Sequence, residues 1–95
     1  MDVPVASLRW AEAAADYCTL HTSTGSCLSN LGITDLQERL DPSLFLRVHR
    51  SALIALNAVL TLERDGSSGY YATLEGGHTV RVSRLYAEAL RPLLG

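Results

Sequence analysis

Apolar positions in this chain recur mostly at every second residue, in short runs broken by Gly, Ser, Asn and Pro, which is the pattern of a mainly β protein. Val3, Val5, Leu8 and Trp10 mark a first strand over Val3–Trp10, with a slip in the alternation near Ala6-Ser7. Glu12 to Asp16 reads as a loop around Ala13-Ala14-Ala15, a run too short for a free-standing helix. Tyr17 to Thr22 is rich in β-formers, with Cys18 and Leu20 on one face and Tyr17, Thr19 and His21 on the other. Ser23-Thr24-Gly25-Ser26 then turns the chain into a short strand, Cys27-Leu28-Ser29.

The period changes at Ile33 to Leu40, where Ile33, Leu36 and Leu40 share a helical face and Thr34 and Gln37 have the spacing of a capping box. Asp41-Pro42 ends that helix. Leu44 to His49 is the central strand. Ser51 to Ala58 is apolar but broken by Asn57, and reads as a turn or short helical piece. Strands follow over Val59–Arg64, Tyr70–Leu74 and Thr79–Val82, joined by a loop at Asp65–Gly69 and a tight turn at Glu75-Gly76-Gly77-His78. Ser83 is placed to cap a last helix running to Leu94, with Tyr86, Ala89, Leu90 and Leu93 on one face and Pro92 weakening its final turn. The expected fold is about seven short strands in antiparallel sheets with two short helices, in one domain spanning residues 1–95.

Composition narrows the class. With 47% apolar residues in 95, the chain can build a core and is not a disordered segment. No apolar run approaches the roughly 18 residues of a membrane span, and Met1-Asp2-Val3-Pro4 does not open a signal peptide. A soluble cytoplasmic domain with no membrane partner is the expectation. Cys18 and Cys27 lie on the two strands of one hairpin; in the simplest register Thr22 faces Cys27 and Cys18 faces Leu31, which leaves the sulfurs too far apart to bridge. Reduced, buried thiols are expected.

The net charge of −2 speaks against nucleic acid until its distribution is read. Residues 1–44 hold two Arg against six acids, a balance of −4; residues 45–95 hold six Arg against four acids, a balance of +2. Every cation is an arginine, the side chain able to grip phosphate or guanine with two parallel N–H bonds. Two strand exits concentrate this charge: Phe45-Leu46-Arg47-Val48-His49-Arg50-Ser51 and Val80-Arg81-Val82-Ser83-Arg84. Each presents Arg beside Ser, and the anion such a surface fits is a nucleic-acid backbone.

Arg84 is the sharpest candidate. At the first turn of a helix a cation opposes the helix dipole, so stability alone favours an acid there; the structural alternative is a pair with Glu88 one turn on. Arg50 follows a strand and is either a contact residue or half of a surface ion pair. Arg47 shares the side of Phe45, so it needs a carboxylate partner or a place at the rim; structural and phosphate-contacting roles stand open. His49 shares that same parity, and a lone histidine at a strand end is more often bonded to backbone than catalytic. Asp16 can accept from a cytosine amino group, and Tyr17 is either a sheet residue or a contact. Arg81 and Arg9 are phosphate candidates. His21, His49 and His78 show no ligand spacing, no Cys-x-x-Cys or phosphate loop is present, and nothing supports a Ser51–His49 catalytic pair; neither a metal, a cofactor nor an enzymatic activity is expected.

Three blocks together, Glu12-x-x-x-Asp16-Tyr17, Phe45-x-Arg47-Val48-His49-Arg50-Ser51 and Val82-Ser83-Arg84-x-Tyr86, resemble the LytTR family of bacterial DNA-binding domains over essentially the whole chain. The resemblance implies a mostly β fold with two helices that reads duplex DNA through loops, not through a recognition helix. It implies the output domain of a transcription regulator of response-regulator type in a two-component system. A regulatory or receiver domain would lie in the parent chain, and a homodimer would form on direct-repeat promoter sites. By position, the implied contact segments are Ala13 to Cys18, the stretch around His49-Arg50-Ser51, and Ser83-Arg84, with Arg50 and Arg84 at positions the family turns towards DNA. The acidic first half and the alanine-rich first loop keep an alternative open, a LytTR-like protein-interaction module that no longer binds DNA.

Overall fold

The computed structural model describes residues 5–14, 16–64, 66 and 69–94; the expected strand start at Val3 and residues Ala15, Asp65, Ser67 and Ser68 lie outside them, as does the Leu93 side chain. Among the described residues eight strands form two antiparallel sheets: β1 Leu8–Ala14, β2 Tyr17–Thr22, β3 Gly25–Ser29, β4 Phe45–His49 and β5 Ala52–Ala55 in the order β3-β2-β1-β5-β4, then β6 Val59–Arg64, β7 Tyr70–Leu74 and β8 Thr79–Val82 in sequential order. Helix α1 spans Ile33–Arg39 and α2 spans Arg84–Leu90.

The five-stranded sheet is covered on both faces. Leu8, Ala11, Cys18, Leu20, Phe45, Leu53 and Ala55 pack with Ile33 and Leu36 of α1. On the other face Trp10, Val48, Ala52 and Ile54 meet Ala72, Leu74, Val80 and Val82 of the second sheet and Ala87 and Leu90 of α2. β5 therefore has no solvent face, and all four of its residues are buried. This corrects the reading of Ser51–Ala58 as a turn or helical piece: only Leu56–Ala58 is helical, as one 3₁₀ turn. A strand buried on both sides carries no polar alternation to read.

The start of the chain shifts in the same way. Val5–Ser7 is a 3₁₀ turn, and the first strand runs past Trp10 through Glu12, Ala13 and Ala14, which had been expected to form a loop. An irregularity in the β1–β2 register between Leu8 and Trp10 sends these two side chains into opposite cores. Ala11, fully buried, and Ala13 are small residues under α1 and not the seed of a helical turn.

The helices end differently from expectation. Gly32, and not a Thr34 capping box, occupies the N-cap of α1, with no side-chain cap bond. After the helix, Asp41 Oδ1 accepts from the Ser43 N–H (2.9 Å) and O–H (2.7 Å), which holds its carboxyl below its ordinary pKa. Those two bonds are strongest with the carboxylate charged, and they weaken as pH falls through the lowered value. Ser83 does sit at the N-cap of α2, again without a side-chain bond. α2 stops at Leu90 and tightens into a 3₁₀ segment, Arg91–Leu94, at Pro92. Its buried residues are Ala87 and Leu90, Tyr86 is partly buried, and Ala89 is exposed.

The β2–β3 register differs by two residues from the expected one: Cys27 pairs with Leu20, and Cys18 with Ser29, because the turn is only Ser23-Thr24. Both thiols are free. Cys18 is fully buried; burial pushes its pKa up, and the positive Arg47 offsets this only in part. Cys27 is half-buried. Iodoacetamide on the native protein should therefore modify Cys27 first and reach Cys18 only after denaturant is added. Peptide mass spectrometry over a time course checks this, and equal native rates would contradict the Cys18 placement.

Candidate nucleic-acid interface

The two strand exits singled out by charge and the first segment implied by the resemblance meet at one end of the sheet stack. β1 passes to β2 at a turn through Asp16, β4 passes to β5 at a turn through Arg50, and β8 passes to α2 at Ser83. Antiparallel pairing places the first two turns side by side, since Ala14 pairs with Tyr17, Glu12 with Ala52, and His49 with Ala52. Two backbone bonds complete the edge. The Ala13 N–H donates to the Ser51 carbonyl at 2.8 Å, and the Ser83 N–H donates to the Val48 carbonyl at 2.8 Å. The second turn is thus tied to both of the others.

A bulge shapes that second turn. The β4–β5 register shifts between Arg47, paired with Leu53, and His49, paired with Ala52. The extra residue moves His49 off the side of Phe45 and Arg47, which corrects the expected shared parity. Phe45 enters the core beneath α1 and Val48 the core between the sheets. His49, with Ser51, Arg81 and Trp10, lines a shallow cleft of about 190 Å³ between the sheets. His49 Nδ1 accepts from the Ser51 backbone N–H (3.2 Å) and lies 2.9 Å from Ser51 Oγ. Accepting at Nδ1 puts the ring hydrogen on Nε2.

Arg47 takes a place at the rim, one of the two alternatives its parity left open. Its Nε donates to the His49 carbonyl (2.9 Å), its Nη2 to the Arg50 carbonyl, and its Nη1 to Gln37 Oε1 on α1 (3.0 Å). Arg50 and Arg84 stand apart from this network. Both are exposed, and among the described residues neither guanidinium group makes an ion pair or hydrogen bond. The Arg84–Glu88 pair weighed as a structural alternative does not form. Asp16 is exposed in the first turn and Tyr17, opening β2, is half-exposed; Ser83 is partly buried at the third junction.

Arg9 does not join this edge. It lies at the other end of β1 from Ala14 and holds the β7–β8 turn, with Nη1 donating to the Glu75 carbonyl (3.0 Å) and Nη2 at 3.8 Å from the Glu75 carboxylate. Gly76, with φ +93°, admits it closely: a Cβ there would stand 2.5 Å from Arg9 Nη1. Two histidines that look scattered in sequence come together on Trp10. His21 stacks on its ring at 4.3 Å, and His78 tilts against both from the second sheet. His21 Nε2 also lies 3.1 Å from Glu12 Oε1. Gln37 is the partner of Arg47 that sequence reasoning missed. Its helical spacing suggested a cap, and nothing local signals a partner ten residues on.

A two-sheet β domain whose three hydrogen-bonded junctions lie at one edge, two of them carrying exposed arginines, defines the class. The chain belongs to the LytTR family: the model of the LytTr DNA-binding domain matches residues 1–95. Among its relatives, the CO-responsive transcriptional regulator RcoM of Rhodospirillum rubrum is 37% identical over 93 residues, which is 97% of this chain and 39% of that protein. The sensory transduction protein LytT of Bacillus anthracis is 36% identical over 59 residues, 62% of this chain and 24% of that one. The chain thus spans well under half the length of these relatives. A solved LytTr DNA-binding domain from a methyl-accepting/DNA response regulator of Bacillus cereus superposes with a TM-score of 0.88 at 24% identity, covering 100% of this chain and 87% of that domain, and so shares the fold. No helix among the described residues is long and apolar enough to cross a membrane.

Proposed function

We propose that this chain reads duplex DNA in a sequence-specific way through the three joined turns, as the output domain of a bacterial transcription regulator. The observation that carries the reading is the pair of backbone bonds, Ala13 to Ser51 and Ser83 to Val48, which draws Asp16, Arg50 and Arg84 to one edge while both guanidinium groups remain exposed without a partner among the described residues. Arg50 and Arg84 read bases or grip phosphate, and the His49 Nε2–H and Arg81 serve the backbone from the neighbouring cleft. Asp16 and Tyr17 contribute from the first turn, where an aspartate disfavours phosphate and favours the cytosine amino group. A signal-receiving domain in a parent chain belongs to this proposal. It fits relatives named for CO response and sensory transduction, of which this chain matches 39% and 24% of the length. A homodimer on direct-repeat sites completes it.

The test is selection of duplexes from a randomised pool by the 95-residue chain, followed by gel-shift titration of the enriched sequence across salt concentrations. Enrichment of a defined motif is expected, with log K falling against log salt by about 0.9 for each phosphate neutralised. A flat salt response would remove the backbone contacts. Failure to enrich any sequence at low salt would favour the protein-interaction module, for which the balance of −4 over residues 1–44 is the supporting observation.

A further inference from the structure

Arg47 is a cation at the DNA-facing edge, and charge alone would make it one more phosphate contact. Its geometry points elsewhere. The bulge between Arg47 and His49 interrupts the ladder where β4 turns into β5, and there the carbonyls of His49 and Arg50 accept from the Arg47 side chain. The guanidinium fills that gap. Its Nε/Nη2 edge, the edge that would otherwise grip a phosphate with two parallel bonds, is taken by the His49 and Arg50 carbonyls. Its remaining nitrogen, Nη1, is held at 3.0 Å by Gln37 of α1. The side chain is partly buried beside Cys18, whose thiol feels its charge. Each of the three guanidinium nitrogens therefore already donates to a protein oxygen.

We propose that Arg47, anchored by Gln37, is a positioning residue of the DNA-reading turn and makes no contact with DNA. It fixes the carbonyls of His49 and Arg50, and this sets the direction in which the Arg50 side chain leaves the surface. The inference rests on the DNA-binding reading above. It adds to that reading a link from helix α1, which carries no contact residue, to the turn that does. A lysine cannot replace this arginine, because a single ammonium lacks the planar fork that spans two carbonyls and an amide together.

Two measurements test the proposal, one of them without DNA. In the free protein, Arg47→Lys should speed hydrogen exchange of the Ser51 amide, which bonds His49 Nδ1 inside the clamped turn, while amides of β5 keep wild-type protection. On the duplex selected by the wild-type chain, Arg47→Lys should weaken binding about tenfold, towards the lower end of what loss of a base contact costs. The slope of log K against log salt should stay at its wild-type value. Gln37→Ala, which alters no charge, should weaken binding about threefold, the effect of one hydrogen bond. A phosphate contact gives the opposite set of results: lysine rescues, the salt slope of Arg47→Ala falls by about 0.9, and Gln37→Ala leaves affinity unchanged or improves it. Those results, or a Ser51 amide indifferent to Arg47→Lys, overturn the clamp. A wild-type chain that binds no duplex overturns the functional reading, whatever the exchange data show.

Discussion

Replacing Leu53 or Ile54 by alanine is expected to lower the unfolding free energy by about 2–5 kcal/mol each. The two residues are neighbours on β5, yet they lie in different cores. Leu53, 1% exposed, packs beneath α1, and Ile54, 0% exposed, packs against the second sheet. β5 is also the strand that joins β1 to β4, so it holds together the two turns that flank Ala52. A domain of this size has about 5–15 kcal/mol of stability in total, so either substitution removes a large share. Each kcal/mol should appear as roughly 4–8 °C in Tm. Leu28→Ala and Leu60→Ala are the controls. Their side chains are 63% and 61% exposed, and changes there should stay within about 0.5 kcal/mol. Urea titration followed by circular dichroism measures all four, and an Ile54→Ala cost below about 1 kcal/mol would mean that β5 is not the doubly covered strand.

That same strand shows where sequence reading stops. Strands with one wet face, such as Tyr17–Thr22 and Thr79–Val82, announce themselves by alternation, and their bounds match the structure. Ala52–Ala55 has no wet face, so it offers hydrophobicity without period and reads equally well as a helical turn. Glu12–Ala14 hides for a different reason: alanine is a poor β-former by propensity, and its place in β1 is decided by the packing of α1 above it. The candidate edge is more legible than the fold behind it, because exposed charge at a strand exit is a local feature. Arg50 and Arg84 could be singled out with no knowledge of their neighbours. The roles of Arg47 and His49 could not. A one-residue bulge at Val48 separates their faces, and Gln37, which bonds Arg47, sits on another element. Pairings across long sequence separations leave no periodic trace.

Arg84→Ala should weaken binding to the selected duplex by about 1–3 kcal/mol if it touches a base, with no loss of stability. The two halves of this expectation have separate causes. For stability, Arg84 has no partner among the described residues and opens α2, where a positive charge opposes the helix dipole. Removing it should leave Tm unchanged or slightly raised, whereas removing an arginine that served the fold would lower it. For binding, Ser83 ties the start of α2 to the end of β4 through the Val48 carbonyl, so the Arg84 side chain leaves from a fixed point at that junction. Arg50→Ala should behave alike, and if the two residues contact separate base pairs their losses should add. The double variant would then fall to the non-specific level, retaining the salt dependence contributed by phosphate contacts. Gel-shift titration on the selected and a scrambled duplex, beside a melting curve for each variant, separates these outcomes. Affinity lost only in step with melting temperature would make Arg84 a structural residue, and unaltered affinity would remove α2 from the interface.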